Sequence, residues 1–154
     1  MSAPMDRAIA LSWAAMNAGE GGPFGAVIVR DGVVIAEGAN CVTSTNDPTA
    51  HAEITAIRRA CSALGTFTLQ GCVLYTSCEP CPMCLAAAYW ARVDRVVYAS
   101  TRATAAAAGF DDAFLYEEVA KAPGERSLPL EHAPSTEADE AFAAWIGKAD
   151  KVPY

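Results

Sequence analysis

Between residues 72 and 91 the chain leaves a strand-like run, Cys72-Val73-Leu74-Tyr75-Thr76, and passes through Cys78-Glu79-Pro80-Cys81-Pro82-Met83-Cys84 into an alanine-rich stretch ending at Ala91. Three cysteines spaced three apart across such a junction restrict the fold more than any other feature. Pro80 restarts the chain as a helix, because a proline at a helix entry gives up no hydrogen bond. Cys81 and Cys84, three apart on the first helical turn, then present both sulfurs on one face. The helix N-terminus favours the thiolate form that a metal needs. His51, in His51-Ala52-Glu53, adds an imidazole from the start of another predicted helix. Two thiolates, one neutral imidazole and a divalent cation sum to zero charge and leave a fourth tetrahedral position for water. Zinc suits that mixture of sulfur and nitrogen.

Glu53 separates a reactive site from a structural one. Two helical positions are about 200° of rotation, so His51 and Glu53 serve one metal only if it sits at the helix mouth and the longer side chain reaches around. A carboxylate there is a base for water rather than a ligand, able to take a proton and pass it to a substrate nitrogen. On spacing alone, Cys78, Cys81, Cys84 and His51 could instead close a structural Cys3His site. Pro80 weighs against that, since it pushes Glu79 out of the helical region and leaves Cys78 at a strand end. A structural site also has no use for Glu53. The remaining cysteines, Cys41, Cys61 and Cys72, are scattered and read as small buried hydrophobes.

The rest of the chain reads as an alternation of strands and helices. A first helix covers Pro4–Ala18, with Ile9, Trp13 and Met16 at helical spacing. Phe24–Arg30 and Val33–Ala39 form a hairpin about Asp31-Gly32. Asn46-Asp47-Pro48-Thr49 turns into a helix with Ile54, Ile57, Cys61 and Leu64 on one face. After the strand at 72–76 and its helix comes another strand, Arg95–Ser100. Thr101–Ala108 reads as an alanine-rich helical turn, Phe114–Ala120 as a short helix, Leu128–His132 as a fifth strand and Thr136–Ala149 as a final helix. The proline in Asp150-Lys151-Val152-Pro153-Tyr154 ends any helix and leaves a bare tail. The predicted class is α/β, a three-layer α/β/α sandwich on a mixed central sheet of about five strands, with residues 1–154 as a single domain.

Charge narrows the partners. Eleven Lys and Arg against 18 Asp and Glu leave a net charge of −7, which repels phosphate backbones and anionic headgroups. Nucleic acid and membrane are therefore not expected as partners, and a small molecule is. Asp6 and Arg7 cancel ahead of the apolar stretch Ala8–Met16, so it lacks the basic start of a signal peptide. The expected location is the cytoplasm.

With these residues in hand, the chain resembles the cytidine-deaminase-like superfamily, in the branch that uses His-x-Glu with Pro-Cys-x-x-Cys. Thr49-Ala50-His51-Ala52-Glu53-Ile54 and Cys78-Glu79-Pro80-Cys81-Pro82-Met83-Cys84 carry the likeness. Guanine, cytosine and tRNA adenosine deaminases share both segments. Gly21-Gly22-Pro23-Phe24-Gly25-Ala26-Val27-Ile28-Val29, Ala108-Gly109-Phe110-Asp111-Asp112 and the terminal Tyr154 are similar to the bacterial guanine deaminases. The resemblance implies one zinc per subunit on His51, Cys81 and Cys84, and conversion of guanine to xanthine with loss of ammonia. It implies that Glu53 moves a proton between zinc-bound water and the ring, with Asp112 as a second carboxylate near the leaving amine. Asn40 would orient the base and Phe24 and Trp90 would shape its pocket. The family also implies a homodimer in which the tail, 150–154, is exchanged and Tyr154 lids the partner's site. Without the resemblance, Asp111-Asp112 reads as a solvated turn, Trp90 and Phe24 as core and Asn40 as a turn residue. Three competing functions stay open on sequence: a deaminase of cytosine, guanosine or ammeline; a tRNA adenosine deaminase, which −7 disfavours; and a non-enzymatic zinc-stabilised module.

Overall fold

In the computed structural model, which describes residues 2–154, Asp31 and Gly32 both take left-handed backbone, at φ 50° and 78°. That is what a two-residue hairpin turn requires. They join β1 (Gly25–Arg30) to β2 (Val33–Ala39). β3 (Cys72–Cys78) lies antiparallel to β1 on its other side, and β4 (Arg95–Ser100) runs parallel to β3. The sheet is mixed, as expected, in the order β2-β1-β3-β4. It has four strands rather than about five. The stretch Leu128–His132 has no regular secondary structure, and Leu128 and Leu130 are 73% and 52% exposed. Pro129 lies between them, and a proline supplies no ladder donor.

Two close approaches set the layers. A Cβ on Gly25 would lie 2.2 Å from the Ala8 carbonyl oxygen of α1 (Ala3–Asn17), so only a glycine lets that helix down onto this face. On the opposite face a Cβ on Gly38 would lie 2.2 Å from the Ala52 carbonyl oxygen and 2.5 Å from the Ala56 nitrogen of α3 (Ala52–Leu64). The buried stripe of α1 is Met5, Ala8, Ser12 and Ala15, small at Ala8 and Ser12 where it meets Gly25. Trp13 and Met16, expected on the core face, are displaced to the rim and line a cavity of about 330 Å³ with Phe24 and Phe110. Between the sheet and the other helices, Ile28, Leu74, Cys72 and Leu69 pack with Ala56 and Ala60 of α3 and with Ala88 and Ala91 of α4 (Pro82–Ala91).

The entry to α3 is built locally. A short helix, α2 (Val42–Thr45), which sequence reasoning leaves out, ends on Asn46 in left-handed backbone. The Asp47 carboxylate then accepts the Thr49 N–H at 2.8 Å and the Thr49 hydroxyl at 2.7 Å. This turn delivers His51 to the helix start. Beyond β4, α5 (Arg102–Ala107) is capped by the Thr101 hydroxyl, which accepts the Thr104 N–H.

The described residues divide into two compact units, one running through Ala113 and the other Phe114–Tyr154. The second holds most of α6 (Ala113–Ala120), a 3-10 turn at Pro123–Glu125 and α7 (Thr136–Gly147). Its most connected group is Glu118, whose carboxylate accepts from Lys121 at 2.5 Å and from the Ser127 N–H and hydroxyl at 2.6 and 2.8 Å. Among the described residues no helix is long and apolar enough to cross a membrane.

Candidate metal centre and active site

His51 is the residue just before α3, in extended backbone at φ −67° and ψ 158°. It is therefore not on the helical wheel at all, and the 200° that would separate it from Glu53 does not apply. Cys81 holds the same place ahead of α4, at φ −68° and ψ 168°, and Cys84 follows inside the first turn. The two helix starts converge on one point. His51 Nδ1 lies 3.6 Å from Cys81 Sγ and 3.5 Å from Cys84 Sγ, and all three ligand atoms lie within 4.8 Å of one another. Zinc bonds of ~2.3 Å to sulfur and ~2.0 Å to nitrogen at the tetrahedral angle put S and N about 3.5–3.6 Å apart. Both sulfur–nitrogen separations therefore fit zinc, and three protein ligands leave the fourth position open.

Cys78 is not among them. It ends β3, and its thiol donates to the Thr101 carbonyl oxygen at 3.7 Å. The closed Cys3His alternative is not built. All six cysteines are free, with Cys72 buried in the core and Cys41 and Cys61 half-buried.

The Cys81 thiol is lowered to about 4, chiefly by the hydrogen bond from Cys84, with His51 assisting against burial. The same bond and burial push Cys84 up, so its proton stays on sulfur. His51 is raised by its hydrogen bond to Cys81. Glu53 is buried, and burial drives its carboxyl upward. Its Oε1 accepts the Thr76 hydroxyl at 3.2 Å from inside the sheet.

The two aspartates divide their work. Asp111 is exposed, and its Oδ1 accepts the Ala113 N–H at 2.9 Å, which shapes the turn. Asp112 is half-buried, and its carboxyl is raised by burial and by the charge on Cys81, with Arg102 opposing. Glu79 ties down the segment that leads there, its Oε2 accepting the Arg102 N–H at 3.0 Å. Asn40, buried at the end of β2, accepts on Oδ1 from Gly22 N–H at 3.2 Å and Val42 N–H at 3.3 Å. Its amide NH2 makes no hydrogen bond among the described residues. Phe24 packs edge-on against Phe110, ring centroids 4.9 Å apart at 88°.

One expected pocket residue of the first unit, Trp90, is not brought to this centre. Trp90 is 64% exposed on the last turn of α4. Nine residues of helical rise put it about 13 Å along the axis from Cys81. Tyr154 ends the second unit and is exposed. Sequence reasoning overlooked Thr76. The available signal was a hydroxyl on the inward-facing series Cys72, Leu74, Thr76 of an apolar strand.

Known proteins share this geometry and the sequence that builds it. The family described as "Cytidine and deoxycytidylate deaminase zinc-binding region" matches residues 2–100. The chain is similar to guanine deaminase of Bacillus subtilis, 56% identical over 150 residues, covering 97% of this chain and 96% of that one. The crystal structure of that guanine deaminase superposes with a TM-score of 0.96 at 54% identity, covering 100% of this chain and 99% of the other. A guanine deaminase from Nitrosomonas europaea superposes with a TM-score of 0.67 at 31% identity, covering 91% and 71%. The tRNA-specific adenosine deaminase of Aquifex aeolicus is 45% identical over 78 residues, covering 51% of this chain and 52% of that one.

Proposed function

The chain belongs to the cytidine and deoxycytidylate deaminase zinc-binding family, among its guanine deaminases, and from that premise we propose that it hydrolyses guanine to xanthine and ammonia. One observation carries the reaction type: a buried carboxylate, Glu53, stands beside three ligand atoms at tetrahedral zinc spacing. His51, Cys81 and Cys84 hold the metal. Bound there, zinc supplies the Lewis acidity that makes water a nucleophile at neutral pH.

Glu53 takes a proton from the attacking water and hands it to a ring nitrogen as C2 becomes tetrahedral. Burial favours its protonated form, so the proton is retained until the ring can accept it. Asp112, also raised by burial, delivers a proton to the departing amine. Asn40 orients the base. With Oδ1 committed to two backbone N–H groups, its NH2 is left to donate to an acceptor on the purine edge. Phe24, braced on Phe110, walls the pocket.

The proposal includes a single deaminase over residues 1–154, working as a homodimer in the cytoplasm on a free purine base. In it the tail, 150–154, passes to the partner subunit and Tyr154 lids that site. A role for Trp90 in the pocket also requires a subunit contact, since it lies at the far end of α4 from its own ligands. A small base is favoured over tRNA by net charge −7 and by coverage, 97% of the chain for the guanine deaminase against 51% for the tRNA enzyme.

The test is ammonia release from guanine, guanosine, adenine, cytosine and ammeline, with zinc measured on the same sample. Guanine turnover should vanish on chelation and return with zinc. A zinc-loaded protein inert to guanine would refute the substrate and move it to whichever compound reacts.

A further inference from the structure

Thr76 is fully buried on β3, on the sheet face that meets α3, and its register partner across the sheet is Ala26. Cys72, Leu74, Ala26, Ile28 and Ala36 on that face are apolar core, and Tyr98 is the register partner of Thr76 on β4. A hydroxyl in such a place needs a partner, because an unpaired one is costly to bury. That partner is Glu53, whose Oε1 accepts the Thr76 hydroxyl at 3.2 Å. The carboxylate is thus held between the start of α3, which carries it, and a rigid central strand, which grips one of its two oxygens.

We infer that Thr76 is a positioning residue for Glu53: by engaging Oε1 from the sheet, it fixes the carboxylate's rotation and leaves Oε2 aimed at the reacting atoms. The inference rests on Glu53 acting as the proton carrier proposed above. A glutamate has three side-chain torsions, and burial alone leaves room for rotamer exchange. One bond from an immobile strand removes that freedom before substrate arrives, which is the contribution a supporting residue makes to catalytic geometry. Threonine serves better than a longer donor, since its β-branched side chain is stiff on a strand.

The experiment is a double-mutant cycle on the zinc-loaded protein, with Thr76→Val, Thr76→Ser, Glu53→Gln and the Thr76→Val/Glu53→Gln pair. Thr76→Val keeps the shape and deletes the donor. It should lower kcat about tenfold with KM for guanine and zinc content unchanged, the size expected for one hydrogen bond to a charged group. Thr76→Ser should restore most of the rate. In the Glu53→Gln background, Thr76→Val should cost nothing further, because the group it positions is gone.

Infrared spectra supply a reading independent of rate. The carboxylate band that Glu53→Gln removes should shift in Thr76→Val and return in Thr76→Ser. Wild-type kcat with an unmoved band in Thr76→Val overturns the inference, and so does a full additional loss in the double variant. If Thr76→Val does not fold, Thr76→Ser against Thr76→Ala reads the same hydroxyl. An active Glu53→Gln would instead overturn the role of Glu53 itself, an outcome this cycle distinguishes.

Discussion

Gly38 offers a test of how tightly the metal centre depends on the packing beneath it. An alanine there would put its Cβ 2.2 Å from the Ala52 carbonyl oxygen, 2.5 Å from the Ala56 nitrogen and 3.1 Å from the Ala56 Cα. All three are backbone atoms of α3, so no side chain can swing aside. Restoring ordinary contact requires α3 to lift from β2 by about 1 Å, the kind of shift that overpacked cores make at ~1–3 kcal/mol. For a chain this size that corresponds to a fall in Tm of about 3–10 °C. The displaced backbone includes Ala52, which joins His51 to Glu53. Cys81 and Cys84 belong to α4 and would not follow. The His51–sulfur separations of 3.5 and 3.6 Å would open, weakening zinc, and a misplaced carboxylate costs up to ~10²-fold in rate. Differential scanning calorimetry, zinc titration and guanine turnover on Gly38→Ala read all three effects. Gly32→Ala is the control: its φ of 78° strains an alanine, but nothing lies within 4 Å, so it should lose stability and keep zinc affinity. Wild-type zinc affinity and rate in Gly38→Ala would refute the coupling between this contact and the centre.

Three other outcomes follow from the charges and the tail. Cys84 is pushed far up and keeps its proton, and His51 is raised toward its protonated form by its hydrogen bond to Cys81; zinc loading should release protons and weaken as pH falls. Calorimetry in buffers of different ionisation enthalpy counts them, and zero release would contradict a protonated Cys84. Glu118 is lowered to about 2, first by Lys121 and then by Ser127. Because its folded value lies below the unfolded one, its contribution is complete above the ordinary glutamate range and is lost as pH falls toward 2. Amide exchange over residues 114–154 should show that acid sensitivity flatten in Glu118→Gln, and an unchanged profile would remove Glu118 as its source. Deleting residues 150–154 should lower turnover while zinc content and unfolding temperature persist, and full activity in the truncated protein would make the tail dispensable.

What could be read along the chain was chemistry confined to a few consecutive residues. Asp31-Gly32 specifies a hairpin because two adjacent residues must take positive φ. The prolines flanking Cys81 and the residues around His51 specify helix entries, although α4 begins at Pro82 rather than at Pro80, and a start residue's side chain projects from the helix mouth. Charge was legible too, being a sum that needs no fold. Other features depended on which segments become neighbours. Leu128–His132 has the look of a strand, yet a strand exists only where a ladder forms, and Pro129 cannot donate to one. Trp13 and Met16 are large and apolar, but where α1 meets Gly25 the buried positions are the small Ala8 and Ser12.

Asp111 and Asp112 are identical in sequence terms, and only folding gives one a turn amide and the other a place near Cys81. Cys78, spaced as a ligand, is drawn off by the end of β3. Thr76 and Glu53 stand 23 residues apart. The sequence by itself determined the metal-binding groups and the helix starts that present them, because backbone sterics and capping act over one turn. The tertiary structure alone decided which cysteine was excluded, which aspartate turned inward and what grips Glu53, because those choices belong to packing between distant segments.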